Sequence, residues 1–215
     1  MTLKRFITFL ILALSLCNLY GQQKQRMALF VDQLPAAEGA ENREEVREDI
    51  RKAAEDALTY YLNISNEFNV ITFSTIPDGL SRDTLGAAAE KFGFDQIIYT
   101  KLPSSGSDRA PAAVYLFDRE KGETTYSSEG EVDLSGVGSR SRKAHELFKP
   151  MFDQLLDVRN SWSSVEFDPR GGDGDYSVVV DGVLAGQNIK PLFMPKRDLV
   201  VEVLQSRPFG TQILL

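Results

Sequence analysis

A single histidine and a single cysteine set the limits of this chain's chemistry before any fold is considered. A zinc centre built from Cys and His needs about four such ligands, and an intrachain disulfide needs two cysteines, so neither can form. His145 is the only imidazole. A hydrolase built on it would also need a serine nucleophile and an orienting carboxylate, and spacing marks out no serine for that task. Its place near the start of a helix, beside Glu146, fits a surface or capping histidine.

Asp168, Asp173 and Asp175 flank the run Gly171-Gly-Asp-Gly-Asp175 and suggest a weak calcium module. An EF-hand loop counted from Asp173 needs Gly at its sixth position, which is Val178, and the calcium nonapeptide needs tandem repeats. A turn with positive φ is the simpler use of these glycines. Asp32, Asp78 and the pair Thr100 and Lys101 fall near the carboxyl ends of three strands, where open α/β sheets bind ligands. That grouping resembles a phosphoacceptor site, yet adjacent strand residues point to opposite faces. The first crossover holds only Gly39, and no Gly-rich phosphate loop follows any strand, so no nucleotide is expected. Asp181, Gly182 and Gly186 read as structural turn residues, because Asp-Gly between apolar runs is a strong hairpin signal. No metal, cofactor or catalytic residue is assigned.

The elements that must position these residues come from periodicity. Residues 26–32 read as a strand, and 42–62 as a long helix with Val46, Ile50, Ala53, Ala54, Ala57, Leu58, Tyr61 and Leu62 on one stripe. Glu48 and Lys52 are spaced to pair on its other side. Residues 68–73 form a second strand. Ser81 opens a helix through Phe92, with Leu85, Ala88, Ala89 and Phe92 inward and Gly93 as its left-handed end. Residues 96–101 form a third strand, and the β-α-β-α-β order implies parallel pairing with right-handed crossovers. A hairpin of 112–118 and 123–134 then makes the sheet mixed. The third helix, 142–158, buries Leu147, Phe148, Met151, Phe152, Leu155 and Leu156, with a kink or division expected at Pro150.

Beyond Arg159 the period becomes two, with strands at 164–167, 176–180, 199–203 and 211–214. The predicted fold is therefore an α/β (α+β) mixed-sheet domain with three helices, followed by a small all-β sandwich-like domain. A unit of about fifty residues is marginal alone and should dock on its neighbour. Trp162 in the connector either staples the two units or, if exposed, marks a partner surface.

Residues 1–21 read as a signal peptide: Lys4 and Arg5, then an apolar run from Phe6 to Leu16 too short to span a bilayer. Cleavage after Gly21 would release a soluble chain. Alternatively, residues 14–17 (Leu-Ser-Leu-Cys) resemble a lipobox and would lipidate Cys17, the one route to membrane association. Removing residues 1–21 leaves 22 basic and 31 acidic residues, a net charge of −9. That balance disfavours nucleic acid and anionic lipid surfaces, despite the local cluster of Arg140, Arg142 and Lys143.

In residues 27–31, 68–71, 89–98 and 114–122, taken in order, the region 22–160 resembles the TolB amino-terminal and curli-secretion (CsgG-like) envelope domains. The pore-forming elements of curli secretion are missing. Residues 161–215 resemble a PEGA-type domain. The Pro-Glu-Gly-Ala motif is degraded to Pro169-Arg-Gly-Gly172, but Tyr176 to Gly182, Gly186, Met194, Pro195 and the strand 199–203 match better. The resemblance implies a bacterial, periplasmic or envelope protein that is no enzyme. It would bind another protein or a cell-wall component, through a sheet edge or the PEGA-like loops. A hydrolase using His145 and the calcium module are the competing readings.

Overall fold

The computed structural model describes residues 24–33, 44–73, 75–102, 109–133, 140–156, 158–167, 175–207 and 210–214. Residues 1–21, with Cys17 among them, and Asp168 and Asp173 lie outside them.

Alternation along one strand builds both sides of the first layer. In β1 (Gln25–Gln33), Met27, Leu29 and Val31 point to one face, and Ala28 and Phe30 to the other. With β2 (Phe68–Phe73), β3 (Gln96–Leu102), β4 (Arg109–Asp118) and β5 (Glu123–Asp133) it forms a five-stranded sheet, ordered β2-β1-β3-β4-β5. Pairing is parallel from β2 through β3 and antiparallel from β3 to β5. This is the mixed α/β fold the sequence predicts.

The first face carries α1 (Glu44–Ser65) and α3 (Arg140–Leu155), and the second carries only α2 (Leu85–Phe92). Placing α1 and α2 on opposite faces lets both crossovers stay right-handed while β2 and β3 settle on either side of β1. The inward stripe of α1 includes Tyr60 and Ile64 beyond the residues its spacing marks. Each fully buried leucine such as Leu58 or Leu62 contributes about 2 kcal/mol. Lys52 pairs with Asp56 at 3.1 Å, one turn onward, while the side chain of Glu48, its expected partner, lies outside the described residues. That order is the weaker one on a helix.

Two details of the helices differ from expectation. Phe92 is 39% exposed, and Phe94, 3% exposed, takes its place in the core. Gly93 at φ 70° turns the chain left-handed, and the Phe94 N–H closes on the Ala89 carbonyl at 3.0 Å, which swings Phe94 under the sheet. Pro150 does not divide its helix; α3 runs to Leu155, and a single helical turn, Val158–Ser161, follows. Pro150 and Glu146 are exposed, so water can reach the carbonyl that loses its partner.

The remaining strands are antiparallel throughout. β6 (Trp162–Val165) pairs with β9 (Leu192–Pro195); β7 (Tyr176–Val180), β8 (Val183–Gln187), β10 (Val201–Arg207) and β11 (Gly210–Leu214) form a sheet ordered β11-β10-β7-β8. β8 and β9 were not expected: each is four or five residues long and interrupted by Gly186 or closed by Pro195. One apolar cluster runs from β1 through α1 and α3 to Val178, Val180, Ala185, Ile189, Leu192 and Met194. Trp162 is buried within it, its ring 5.5 Å from that of Tyr61, and the Tyr60 hydroxyl donates to the Phe193 carbonyl at 2.9 Å.

Gly186 marks the closest approach of β8 to α3. Its φ is 136°, and a Cβ there would lie 2.8 Å from the Cβ and Oγ of Ser141, whose Oγ accepts the Gln187 N–H. Asp181 and Gly182, at φ 48° and 78°, form the β7–β8 turn, and a Cβ on Gly182 meets nothing within 4 Å. Gly182→Ala should therefore cost about 1 kcal/mol from backbone strain alone. Gly186→Ala adds overpacking, for a total of at least about 2 kcal/mol. Urea melts followed by Trp162 fluorescence will rank them, and equal costs would contradict the close contact.

Candidate functional site

His145 is a core residue, 4% exposed, and the expected surface or capping role is corrected. It stands three and seven residues before Phe148 and Phe152, on the buried stripe of α3, and that spacing was visible in the sequence. Its ring lies 5.7 Å from Tyr60 and 5.2 Å from Tyr61. Nε2 sits 2.9 Å from the Ala185 carbonyl, an acceptor only, so Nε2 carries the proton. Nδ1 and the Tyr61 hydroxyl have no hydrogen-bond partner among the described residues. Burial pulls the imidazole pKa from 6.5 to about 4, and the Ala185 bond opposes that only in part. A neutral ring enclosed by α1 and β8 suits a latch between layers; a substrate would have to open the core to reach it.

The carboxyl ends of the parallel strands hold a second polar group. The Tyr99 hydroxyl donates to Asp32 at 2.9 Å, and burial first, then Asp32, pushes that phenol's pKa up. Asp32 is in register with Lys101, whose ammonium lies 5.9 Å over the Tyr99 ring. Thr100 is buried on the other face, its Oγ1 directed at the Phe30 carbonyl, so the phosphoacceptor grouping does not assemble. Beside it Tyr115 donates to Glu129 at 2.7 Å, with Arg82 3.9 Å from the same carboxylate. Asp78 is exposed. These carboxylates are held as acceptors of fixed phenol donors.

The third feature is the edge formed by β2. It pairs with β1 on one side, and no described strand lies on the other. Its residues, Phe-Asn-Val-Ile-Thr-Phe, include neither charge nor proline, and Ile71 is 38% exposed. The opposite edge, β5, carries Glu123, Glu129, Glu131 and Asp133 in its sequence. Charged edges resist further strand pairing and uncharged ones invite it. From β2 an aromatic series continues along the second face. Phe73 stacks on Phe30 at 4.6 Å and meets Phe94 at 5.7 Å, and Phe94 lies 6.5 Å from exposed Phe92. Arg26 lies over Phe94 and Lys91 over Phe92, which gives the apolar strip a basic border. The sequence marked β2 as a strand; its edge position depends on crossover direction, for which the sequence has no signal.

Of the other expected residues, the Asp181 carboxylate accepts the Val200 N–H and an Arg197 N–H, both at 2.8 Å, and the Val200 bond chiefly holds its pKa down. Asp175 accepts from Asn188 at 2.7 Å. Among the described residues no three His, Cys, Asp or Glu side chains gather as metal ligands, and no helix is long and apolar enough to cross a membrane.

No family model matches the chain, and no curated protein matches it in sequence. Solved structures similar to it include TolB from Acinetobacter baumannii, at 12% identity and a TM-score of 0.43, covering 90% of this chain and 39% of TolB. The LpoB C-terminal domain from Salmonella enterica is similar at 11% identity and a TM-score of 0.33, covering 51% and 83%. Lipoprotein GNA1162 from Neisseria meningitidis is similar at 11% identity and a TM-score of 0.33, covering 62% and 99%. The chain thus spans well under half of the TolB structure it matches.

The His145 environment fixes a pH dependence. The folded pKa, about 4, lies below the unfolded 6.5, so the unfolded chain binds the extra proton between those values. Stability from this group is complete above pH 6.5 and falls as pH drops toward 4, by on the order of 3 kcal/mol. His145→Gln keeps a donor for Ala185 and cannot titrate, so its stability should fall less over that window. Denaturant midpoints at pH 7 and pH 4.5 test this; parallel losses in the two proteins would refute it.

Proposed function

We propose that this chain is an exported, non-enzymatic binding or assembly module of the bacterial cell envelope. In this reading an extended segment of a partner protein adds to the free edge of β2. One observation carries the proposal: β2 combines an unpaired, uncharged edge with exposed Ile71 and the adjoining Phe73, Phe94 and Phe92 strip. Strand addition draws affinity from main-chain hydrogen bonds and specificity from alternate side-chain contacts. The basic border of Arg26 and Lys91 favours a segment with apolar residues and an acidic flank.

The rest of the reading comes from the sequence. Residues 22–160 form the TolB-like unit and 161–215 the PEGA-like unit, with Asp181, Gly182 and Gly186 as its turn residues. Residues 1–21 direct export. The chain is then released after Gly21 or anchored through Cys17, a choice that membrane fractionation of Cys17→Ala will decide.

A photoreactive residue at Asn69 on β2, compared with one at Ser127 on β5, tests the binding surface in intact cells. Adducts should form from β2 and drop at least about tenfold when Ile71→Lys places a charge on the edge, a loss of about 1.4 kcal/mol or more. Equal adducts from β5, or adducts insensitive to Ile71→Lys, would end the proposal.

A further inference from the structure

A cleft of about 420 Å³ opens where the end of α1 meets the β7–β8 turn and its Asp181–Arg197 pair. The volume falls within the range of small-molecule sites, about 300–1,000 Å³. It is lined by Asn63, Ile64 and Asn66 from α1 and the residue after it, by Asp181 and Val183 from the turn, and by Arg197.

Arg197 is fixed in place before any ligand arrives. Its Nη1 donates to Asp181 at 2.8 Å and to the Asp198 carbonyl at 3.3 Å, and its Nη2 donates to the Ile64 carbonyl at 3.2 Å. A guanidinium has five N–H donors, so Nε–H and one Nη2–H remain without a partner among the described residues. The two oxygens of Asp181 accept from Arg197 and Val200, which leaves this carboxylate holding the arginine. Asn66 is exposed and accepts from the Lys24 ammonium through its amide oxygen, which leaves its NH₂ as a donor with a cation nearby. Asn63 adds a further exposed amide. Val183 and the edge of Ile64 supply a small apolar floor.

The mouth therefore offers more donors than acceptors. The carbonyl end of α1 opposes an anion by about 0.3–1 kcal/mol, but the Ile64, Leu62 and Asn63 carbonyls already accept bonds from Arg197, Ser65 and Asn66. Guanidinium N–H groups donate well to carboxylate oxygens, and a charge-assisted hydrogen bond is roughly twice as strong as a neutral one.

We propose that this cleft captures the C-terminal carboxylate of a peptide: the carboxylate on Arg197, the last peptide group on Asn63 and Asn66, and a small apolar side chain on Val183. The site is independent of β2, so either can fail without the other.

The test is an NMR titration of the full exported chain with N-acetyl-alanyl-alanine, its C-terminal amide, and acetate. The free acid should shift the amide resonances of Asn63, Asn66 and Arg197, and bind at least about tenfold more tightly than the other two. Asn63→Asp, an exposed change that leaves every Arg197 bond in place, should weaken the acid by a similar factor. Arg197→Lys, which keeps the charge and loses the fork, should do the same with its melt recorded alongside. Equal binding of acid and amide, equal binding of acetate, no shift at these residues, or an unaffected Asn63→Asp protein would each overturn the proposal.

Discussion

Two adjacent tyrosines near the end of α1 hold the molecule's layers together. Consecutive helix positions lie about 100° apart, so Tyr60 and Tyr61 face different neighbours while both are fully buried. Tyr61 stacks on Phe152 of α3 at 4.4 Å and approaches Trp162, which joins the helices to β6. Tyr60 reaches the other way and donates to the main chain of β9. The Tyr61 hydroxyl has no partner among the described residues, which costs about 1–3 kcal/mol, and the burial of its ring, with several aromatic contacts, is large enough to offset that. Through this seam the apolar side chains of β7, β8 and β9 join the same cluster as α1 and α3.

Charge contributes little to that seam. Several ion pairs are exposed i,i+4 pairs within a helix, such as Lys52 with Asp56 and Arg142 with Glu146, each worth a few tenths of a kcal/mol. His145 in the seam is held neutral, as burial also keeps the Tyr60 and Tyr61 phenols protonated, so its hydrogen bond to β8 acts without a charge to desolvate. The fold thus rests on apolar burial. The net negative surface is left to govern solubility and encounter, and the uncharged β2 edge stands out against it.

The first layer was legible because each element announces itself locally. The stripe from Ile50 to Leu62, the apolar strand run at 96–101 and the glycine at 93 need no tertiary information, and all recur in the structure. What escaped was set by neighbours. Phe92 and Phe94 are equally apolar, and only the turn geometry of Gly93 decides which is buried. β8 and β9 exist because α1 and α3 offer them a surface; in isolation Val183–Gln187 and Leu192–Pro195 are too short to register. His145 was misjudged because its neighbour Glu146 is exposed, although its spacing to Phe148 already placed it inward. The cleft joins residues more than a hundred positions apart, Asn63 and Arg197, and no sequence window contains it.

The distribution of uncommitted hydrogen-bonding capacity supports contact over chemistry. A general base needs access and a pKa near the working pH. His145 lacks both, with its ring enclosed and its pKa near 4, and Asp32 and Glu129 already accept from phenols that burial keeps protonated. Capacity remains where the backbone of β2 faces outward and where Arg197 keeps two donors free. The two lie along one stretch of chain, since α1 ends at Ser65 and β2 begins at Phe68. The strand edge and the cleft are thus neighbours in sequence, yet each draws on its own contacts: main-chain groups at β2, and side chains brought together from α1, the β7–β8 turn and Arg197 at the cleft.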